Sequence, residues 1–354
     1  MTELLYIKEY YFYLLIFLFV TIILSVFTYT KGSKNIVRII NFITISFGLY
    51  TVFYIGNRDY EIGVDTGNYK YAFDLIKFQE SLEIKKDPLY DAISYFFAKH
   101  IDFQSLLIFC SFLYIFCALF GLKKIFKQNY YLPFTVFLIT PYFFQFGINV
   151  MRNGVAASIF LVALGYYYTN DKKWKIIATL LFSMFFHISM IVPLLFFLIT
   201  KYIKKTEYLF VAWLFSIVLA VLKMNIAIVV ADFISTFTIR VGNYAQNVGE
   251  KSSWSNFLIF GAFPVLFAVY NIFVLKYANI FYKRLINAYI LTHIPYIILI
   301  DTEYALRFGY LSEFMMPVLL LFPLMIEPKI KFSLSRIKIC VIILFVFLLK
   351  AYKI

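Results

Sequence analysis

The chain is dominated by apolar runs, each near the length that crosses a bilayer, with no soluble-sized polar segment among them. They lie at roughly 10–30, 36–56, 103–122, 131–149, 151–169, 174–200, 207–223, 256–276, 284–300, 304–326 and 337–350. About 20 mainly apolar residues suffice for a helix to span the hydrocarbon core. A chain of 354 residues that is 63% hydrophobic and 15% charged cannot hide so much apolar surface in a water-soluble globule. Aromatic residues make up 22%, which excludes a disordered chain. The expected fold class is an all-α polytopic membrane protein of roughly 10–12 transmembrane helices. It would form a single membrane domain over 1–354, with an outer loop at 57–102 and a second outer segment at 224–255. The first run has no small-residue cleavage site after it and reads as a retained helix.

The formal charge is +14. In a soluble protein that would suggest nucleic acid, but here the basic residues sit in short loops, so no nucleic acid is expected. Lys31, Lys34 and Arg38, then Lys123, Lys124 and Lys127, then Lys172, Lys173 and Lys175 follow alternate runs and agree on a cytoplasmic side. The 57–102 loop then faces outward, and it holds 9 of the 19 acids. Run 174–200 breaks the alternation. Crossing once, it leaves 15 Lys/Arg inside and 18 outside. Folded as a hairpin of two short helices with its tip near His187 to Pro193, it leaves 19 inside and 14 outside. The hairpin is preferred. Broken helices are tolerated at membrane depth where they line a cavity.

The hairpin also gathers Arg58, Asp65, Arg152, His187, Arg240, Asp301, Glu303 and Arg307 on the outer side. Ionisable groups at membrane depth are costly and mark pathways or sites. Arg58 and Asp65 flank a Gly-bounded turn that leads to Tyr69. Arg152 and Asn153 sit between Gly147 and Gly154 at the end of two runs. An arginine fork there suits phosphate oxygens, although a snorkelling interfacial arginine has the same position. His187 lies in an apolar run, where a core histidine is the ordinary occupant; at the tip of a broken helix it could accept a proton. Glu303 and Arg307 are four residues apart and share a helix face, as a simple ion pair also would. Arg240 is a weaker candidate. No phosphate-cradling glycine loop and no His/Cys metal spacing occurs, so neither cofactor nor metal is expected. Outward arginines without a nucleotide site suggest a substrate already carried in the lipid, such as a lipid-linked diphosphate.

Four segments in order carry a family resemblance. They are Arg58…Gly63-Val64-Asp65-Thr66…Tyr69, Arg152-Asn153-Gly154-Val155-Ala156-Ala157-Ser158, Phe186-His187-Ile188-Ser189 and Tyr304-Ala305-Leu306-Arg307. Together they resemble the EpsG family of bacterial polysaccharide polymerases, related to the Wzy O-antigen and capsule polymerases. The resemblance implies a GT-C-like membrane glycosyltransferase. It would join undecaprenyl-diphosphate-linked oligosaccharide repeat units at the outer face of the bacterial plasma membrane, with a chain-length regulator as a further partner. Arg58, Arg152, Asn153, Arg240, Arg307 and Tyr69 would bind diphosphate and sugar. The base would be His187, Asp65 or Glu303, a choice the sequence leaves open. An O-antigen ligase or single-sugar transferase fits the same residues. A flippase or transporter should instead show matching interrupted helices in two halves, and only run 174–200 reads as interrupted.

Overall fold

The computed structural model describes residues 3–31, 34–84, 86–140, 142–203, 205–222, 254, 260–302, 305–329, 335 and 338–346. The second outer segment at 224–255, with Arg240, and also Glu303 therefore lie outside the described residues, Trp254 excepted. The fold is all-α and polytopic. Among the described residues, four helical stretches are long and apolar enough to cross a membrane: Glu3–Val26, Lys34–Gly56, Phe103–Asn129 and Ala305–Met325. The remaining described runs are shorter or broken, which departs from the simple picture of one helix per run. The chain forms two compact units, Met1–Met190 with Leu324–Ile354, and Ile191–Pro323.

In the first unit, α1 (Glu3–Lys31) and α2 (Lys34–Gly56) form an antiparallel pair. The Tyr6 hydroxyl near the start of α1 donates to the Tyr54 carbonyl near the end of α2, at 2.6 Å. The 57–102 loop holds two 13-residue helices, α3 (Thr66–Phe78) and α4 (Pro88–His100). The long α5 (Phe103–Phe126) starts beside the end of α2, where the Gln104 amide donates to the Gly56 carbonyl. Helix α7 (Met151–Tyr168) runs alongside α5. Their crossing depends on absent side chains: a Cβ on Gly121 would lie 2.6 Å from the Leu161 backbone, and one on Gly165 would lie 2.9 Å from the Gly121 carbonyl oxygen. Small residues at such a contact let two backbones approach, the usual source of packing energy between helices in lipid.

Run 131–149 is not one helix. The nine-residue α6 (Tyr131–Ile139) stops at Thr140, which is extended at ψ 146° before Pro141 in the sequence. A residue preceding proline is pushed out of helical geometry. The chain resumes as a short π-helix, Gln145–Asn149. Its approach is aromatic: Phe143 and Phe144 pack at 5.8 and 5.0 Å from the buried Tyr10 ring.

Run 174–200 is broken at the expected place. Helix α8 (Lys173–Phe186) ends at His187, whose φ of −155° and ψ of 117° leave helical space. A 3-10 turn, Ile188–Met190, then leads to the nine-residue α9 (Ile191–Ile199). Pro193 falls in the first turn of α9, where its missing N–H costs nothing. At 1.5 Å per residue, α8 is about 21 Å long and α9 about 14 Å, both short of a 30 Å core.

One end of the first unit collects the site segments: the start of α1, the end of α2, the starts of α5 and α7, and the end of α8. The basic clusters occupy the other end, where Lys124 pairs with Asp171 at 2.9 Å and Lys175 lies 3.6 Å from the same carboxylate.

The second unit contains α9, α10 (Thr206–Val221), α11 (Ala262–Val269), α12 (Ile280–Ile298) and α13 (Ala305–Glu313). A further helix, α14 (Met316–Met325), ends just past its boundary. Arg284, early in α12, donates to the Phe197 carbonyl at 3.0 Å and to Thr200 Oγ1 at 3.3 Å. The end of α9 and the start of α12 therefore meet, and Lys201 shares an end of this unit with Lys283 and Arg284. His293 is a core residue: Trp213 Nε1 donates to its Nδ1 at 3.1 Å, and it is fully buried.

Candidate active site

The centre of the site is a residue that the sequence reading passed over. Asp87 precedes Pro88 at the start of α4, which reads as an ordinary helix cap followed by a first-turn proline. Its side chain makes no capping hydrogen bond. Instead the carboxylate, 1% exposed, is used on three donors from elsewhere in the chain. Arg152 Nη1 donates to Oδ2 at 2.5 Å. The backbone N–H of Ile188 donates to Oδ1 at 3.0 Å, and His187 Nδ1 lies 3.1 Å from the same oxygen. The break in run 174–200 is what makes this possible: with α8 ended, the Ile188 N–H is available to a carboxylate. Burial alone would raise the Asp87 pKa, but the His187 ring, the Ile188 N–H and Arg152 outweigh it and hold the carboxyl below its usual range.

Two aromatic rings frame the cluster. The Arg152 guanidinium lies 5.7 Å from the Tyr69 ring centre and 5.4 Å from that of Tyr90, within cation–π range of both. Tyr90 is held in turn against Phe186, at 5.9 Å. Burial raises the Tyr69 pKa above its ordinary value, so it presents a neutral hydroxyl. With Nη1 on Asp87 and the guanidinium also engaged by the Tyr69 hydroxyl, the Nε–Nη2 edge of Arg152 has an Nε that is buried without a hydrogen-bond partner among the described residues. That edge carries two parallel N–H groups, the fork that suits phosphate or carboxylate oxygens. On His187 the Asp87 contact uses Nδ1. A carboxylate there holds the proton on Nδ1 and leaves Nε2 as an acceptor.

Arg58 is buried at 1% exposure and serves the scaffold. Its Nη1 donates to the Ile55 carbonyl at 2.9 Å, Nη2 to the Ile148 carbonyl at 3.3 Å and Nε to Thr66 Oγ1 at 3.3 Å. It ties the end of α2, the π-helix and the start of α3 together. Burial lowers its pKa to about 10, so it remains charged at neutral pH. Gly63 closes the same joint: its φ is +92°, and a Cβ there would lie 2.2 Å from Ile148 Cγ2.

Of the residues singled out from sequence, His187, Arg152 and Tyr69 come together. Asn153 is buried beside Arg152 on α7, and its Oδ1 has no hydrogen-bond partner among the described residues. Asp65 precedes α3, one turn from Tyr69, and among the described residues it makes no hydrogen bond or ion pair with His187 or Arg152. Arg307 is exposed in the first turn of α13, in the second unit. Glu303 and Arg240 are not among the described residues. No group of three or more His, Cys, Asp or Glu side chains forms a metal site among those described.

The EpsG family model matches residues 40–354. No curated protein and no solved structure matches the chain. The matched stretch contains every element of the Asp87, Arg152 and His187 cluster and begins within α2. This multi-pass membrane protein therefore belongs to the EpsG family, membrane proteins of the Wzy polysaccharide-polymerase type.

Proposed function

We propose that the protein is a glycosyltransferase of GT-C-like architecture in the bacterial plasma membrane. It joins undecaprenyl-diphosphate-linked oligosaccharide repeat units into O-antigen, capsule or exopolysaccharide. The observation that carries this reading is the buried Asp87 carboxylate, which binds Arg152 and His187 together and leaves the guanidinium edge and the imidazole Nε2 for substrate. The charge pattern supports an outer-face site. The site segments lie at the end of the first unit opposite Lys124 and Lys175, and short basic loops favour the cytoplasm.

The chemistry follows from these groups. The sugar–diphosphate bond is already activated. An acceptor hydroxyl attacks the anomeric carbon, and its proton passes to His187 Nε2. The C–O bond to diphosphate breaks, and the leaving group departs with the electron pair. Asp87 orients the imidazole and stabilises the imidazolium that forms. The Nε–Nη2 edge of Arg152 meets the oxygens on which charge grows. Because the diphosphate is anionic in the ground state, part of the Arg152 effect is expressed as binding. The proton on His187 is then returned to water. Tyr69 and Tyr90 lie within cation–π range of the guanidinium and help fix its position; the group is planar by resonance and presents both N–H groups in one plane.

The test uses purified protein in lipid nanodiscs with lipid-linked repeat units. His187→Gln should slow transfer by about 10²–10⁴-fold, the usual contribution of a general base, while Asp65→Asn keeps most of the rate. The reverse outcome would move the base role to Asp65 and overturn the assignment.

A further inference from the structure

Two clefts share a rim of Asn57, Arg58 and Asp59 just beyond α2. The first, about 500 Å³, is walled by Tyr6, Tyr50 and Tyr54, with Glu9 at its edge. The second, about 560 Å³, continues past Tyr60 to Gln104. Volumes of 300–1,000 Å³ are those of ordinary small-molecule sites. The transfer chemistry uses none of these walls.

Most polar groups along this groove are already committed. Arg58 is turned inward onto two carbonyls and Thr66. Asp102 caps α5 through the Ser105 N–H at 2.7 Å. Lys70 pairs with Asp74. The Asn57 side chain is exposed and has no partner among the described residues, and Glu9 Oε2 lies 3.3 Å from the Tyr54 hydroxyl. The aromatic wall is rigid. The Tyr6 and Tyr54 rings stack at 4.6 Å, and each hydroxyl donates to the other's main-chain carbonyl, at 2.6 and 2.8 Å.

This chemistry selects a neutral, hydroxyl-rich ligand. In the first cleft the exposed carboxylates of Glu9 and Asp59 face no cation but the inward-turned Arg58, which disfavours a phosphate or an anionic lipid headgroup, and the lysines lining the second cleft, Lys70 and Lys77, are both paired with Asp74. A sugar ring has an apolar C–H face that stacks on tyrosine, and adjacent hydroxyls that bridge a carboxylate and an amide. We propose that the groove is a saccharide-binding subsite that holds sugar residues of the glycan away from the reacting bond. This rests on the polymerase reading above. Its rim is packed against the helix that reaches the centre: Arg58 Nε donates to Thr66 at the start of α3, and one turn along α3 Tyr69 meets Arg152.

The test measures binding without bond formation. The probe is the free oligosaccharide repeat unit, released from the source cells' own polymer and carrying no lipid or phosphate. It is titrated onto the protein in nanodiscs by calorimetry. The wild type and His187→Gln should bind it, while Asn57→Ala and Glu9→Gln should each weaken binding at least about tenfold, or 1.4 kcal/mol. The two variants should also shorten the polymer ladder at unchanged thermal stability. Equal binding by wild type and both variants overturns the proposal, as does no binding by the wild type. Displacement of the oligosaccharide by raising phosphatidylglycerol in the disc assigns the groove to lipid and overturns it too. Loss of binding in the variants from a wild type that makes no polymer leaves the subsite standing and removes the polymerase reading.

Discussion

Asp87→Asn is the most informative single change, because its effect can be worked through atom by atom. The carboxylate receives donors on both oxygens: Arg152 Nη1 on Oδ2, and the Ile188 N–H with His187 Nδ1 on Oδ1. An asparagine must point its NH₂ at one of these sides. Facing Arg152, it sets donor against donor at a guanidinium. Facing His187, it opposes the Ile188 N–H and drives the imidazole proton to Nε2, the atom that must accept. Neither rotamer preserves the site. Removing one partner of a fully buried ion pair costs about 3–5 kcal/mol. Here the Arg152 side chain is 33% and the His187 side chain 24% exposed, so both recover some hydration. The lower end, about 3 kcal/mol, is an upper limit for the loss of fold stability. The loss of rate should be larger, about 10²–10⁴-fold, and should fall on kcat, since the wrong imidazole tautomer disables the base. The sign of the pH effect also follows. The Asp87 pKa is depressed in the fold. Its stabilisation is therefore complete above the ordinary carboxylate value of about 3.9 and is lost as pH falls below it. Wild-type thermal stability should show a steeper acid decline than that of Asp87→Asn below about pH 4. The assay is initial-rate polymerisation in nanodiscs, paired with thermal unfolding at pH 7 and pH 3.5. A folded Asp87→Asn within about threefold of the wild-type rate would refute the carboxylate's role.

Three further outcomes are expected. Arg152→Lys keeps the charge but loses the planar fork, so polymer should fall sharply with normal membrane insertion; full activity would exclude bidentate contact with phosphate. Gly63→Ala places a Cβ against Ile148 at a positive φ and should destabilise the Arg58 joint by about 1–3 kcal/mol, read as a lower unfolding temperature. An unchanged transition would show that the joint does not limit stability. Single cysteines at Lys201 and Lys283, which share an end of the second unit, should both label from the cytoplasm, and labelling of Lys201 from outside would invert the topology proposed for the second half.

Much about this chain was determined by its sequence, for physical reasons that act locally. Apolar runs cannot face water, so a multi-pass helical membrane protein followed from composition and run length alone. The Lys/Arg tally of the short loops marked run 174–200 as broken, with its tip near His187 to Pro193. Gly63 marked a turn, and Gly154 a close backbone approach. Other features depended on partners distant along the chain. Run 131–149 looked continuous because apolarity does not report the extended residue that Pro141 imposes. Arg58 looked like a ligand-binding arginine, but tertiary packing turned it inward onto main-chain carbonyls. Asp87 was invisible as a site residue because Asp-Pro at a helix start has a sufficient local explanation. Only the fold brings Arg152, 65 residues on, and His187, 100 residues on, to its two oxygens. A cap is a nearest-neighbour property that sequence can express. A buried carboxylate shared between two helices and a loop is a property of packing, and only the tertiary structure decides it.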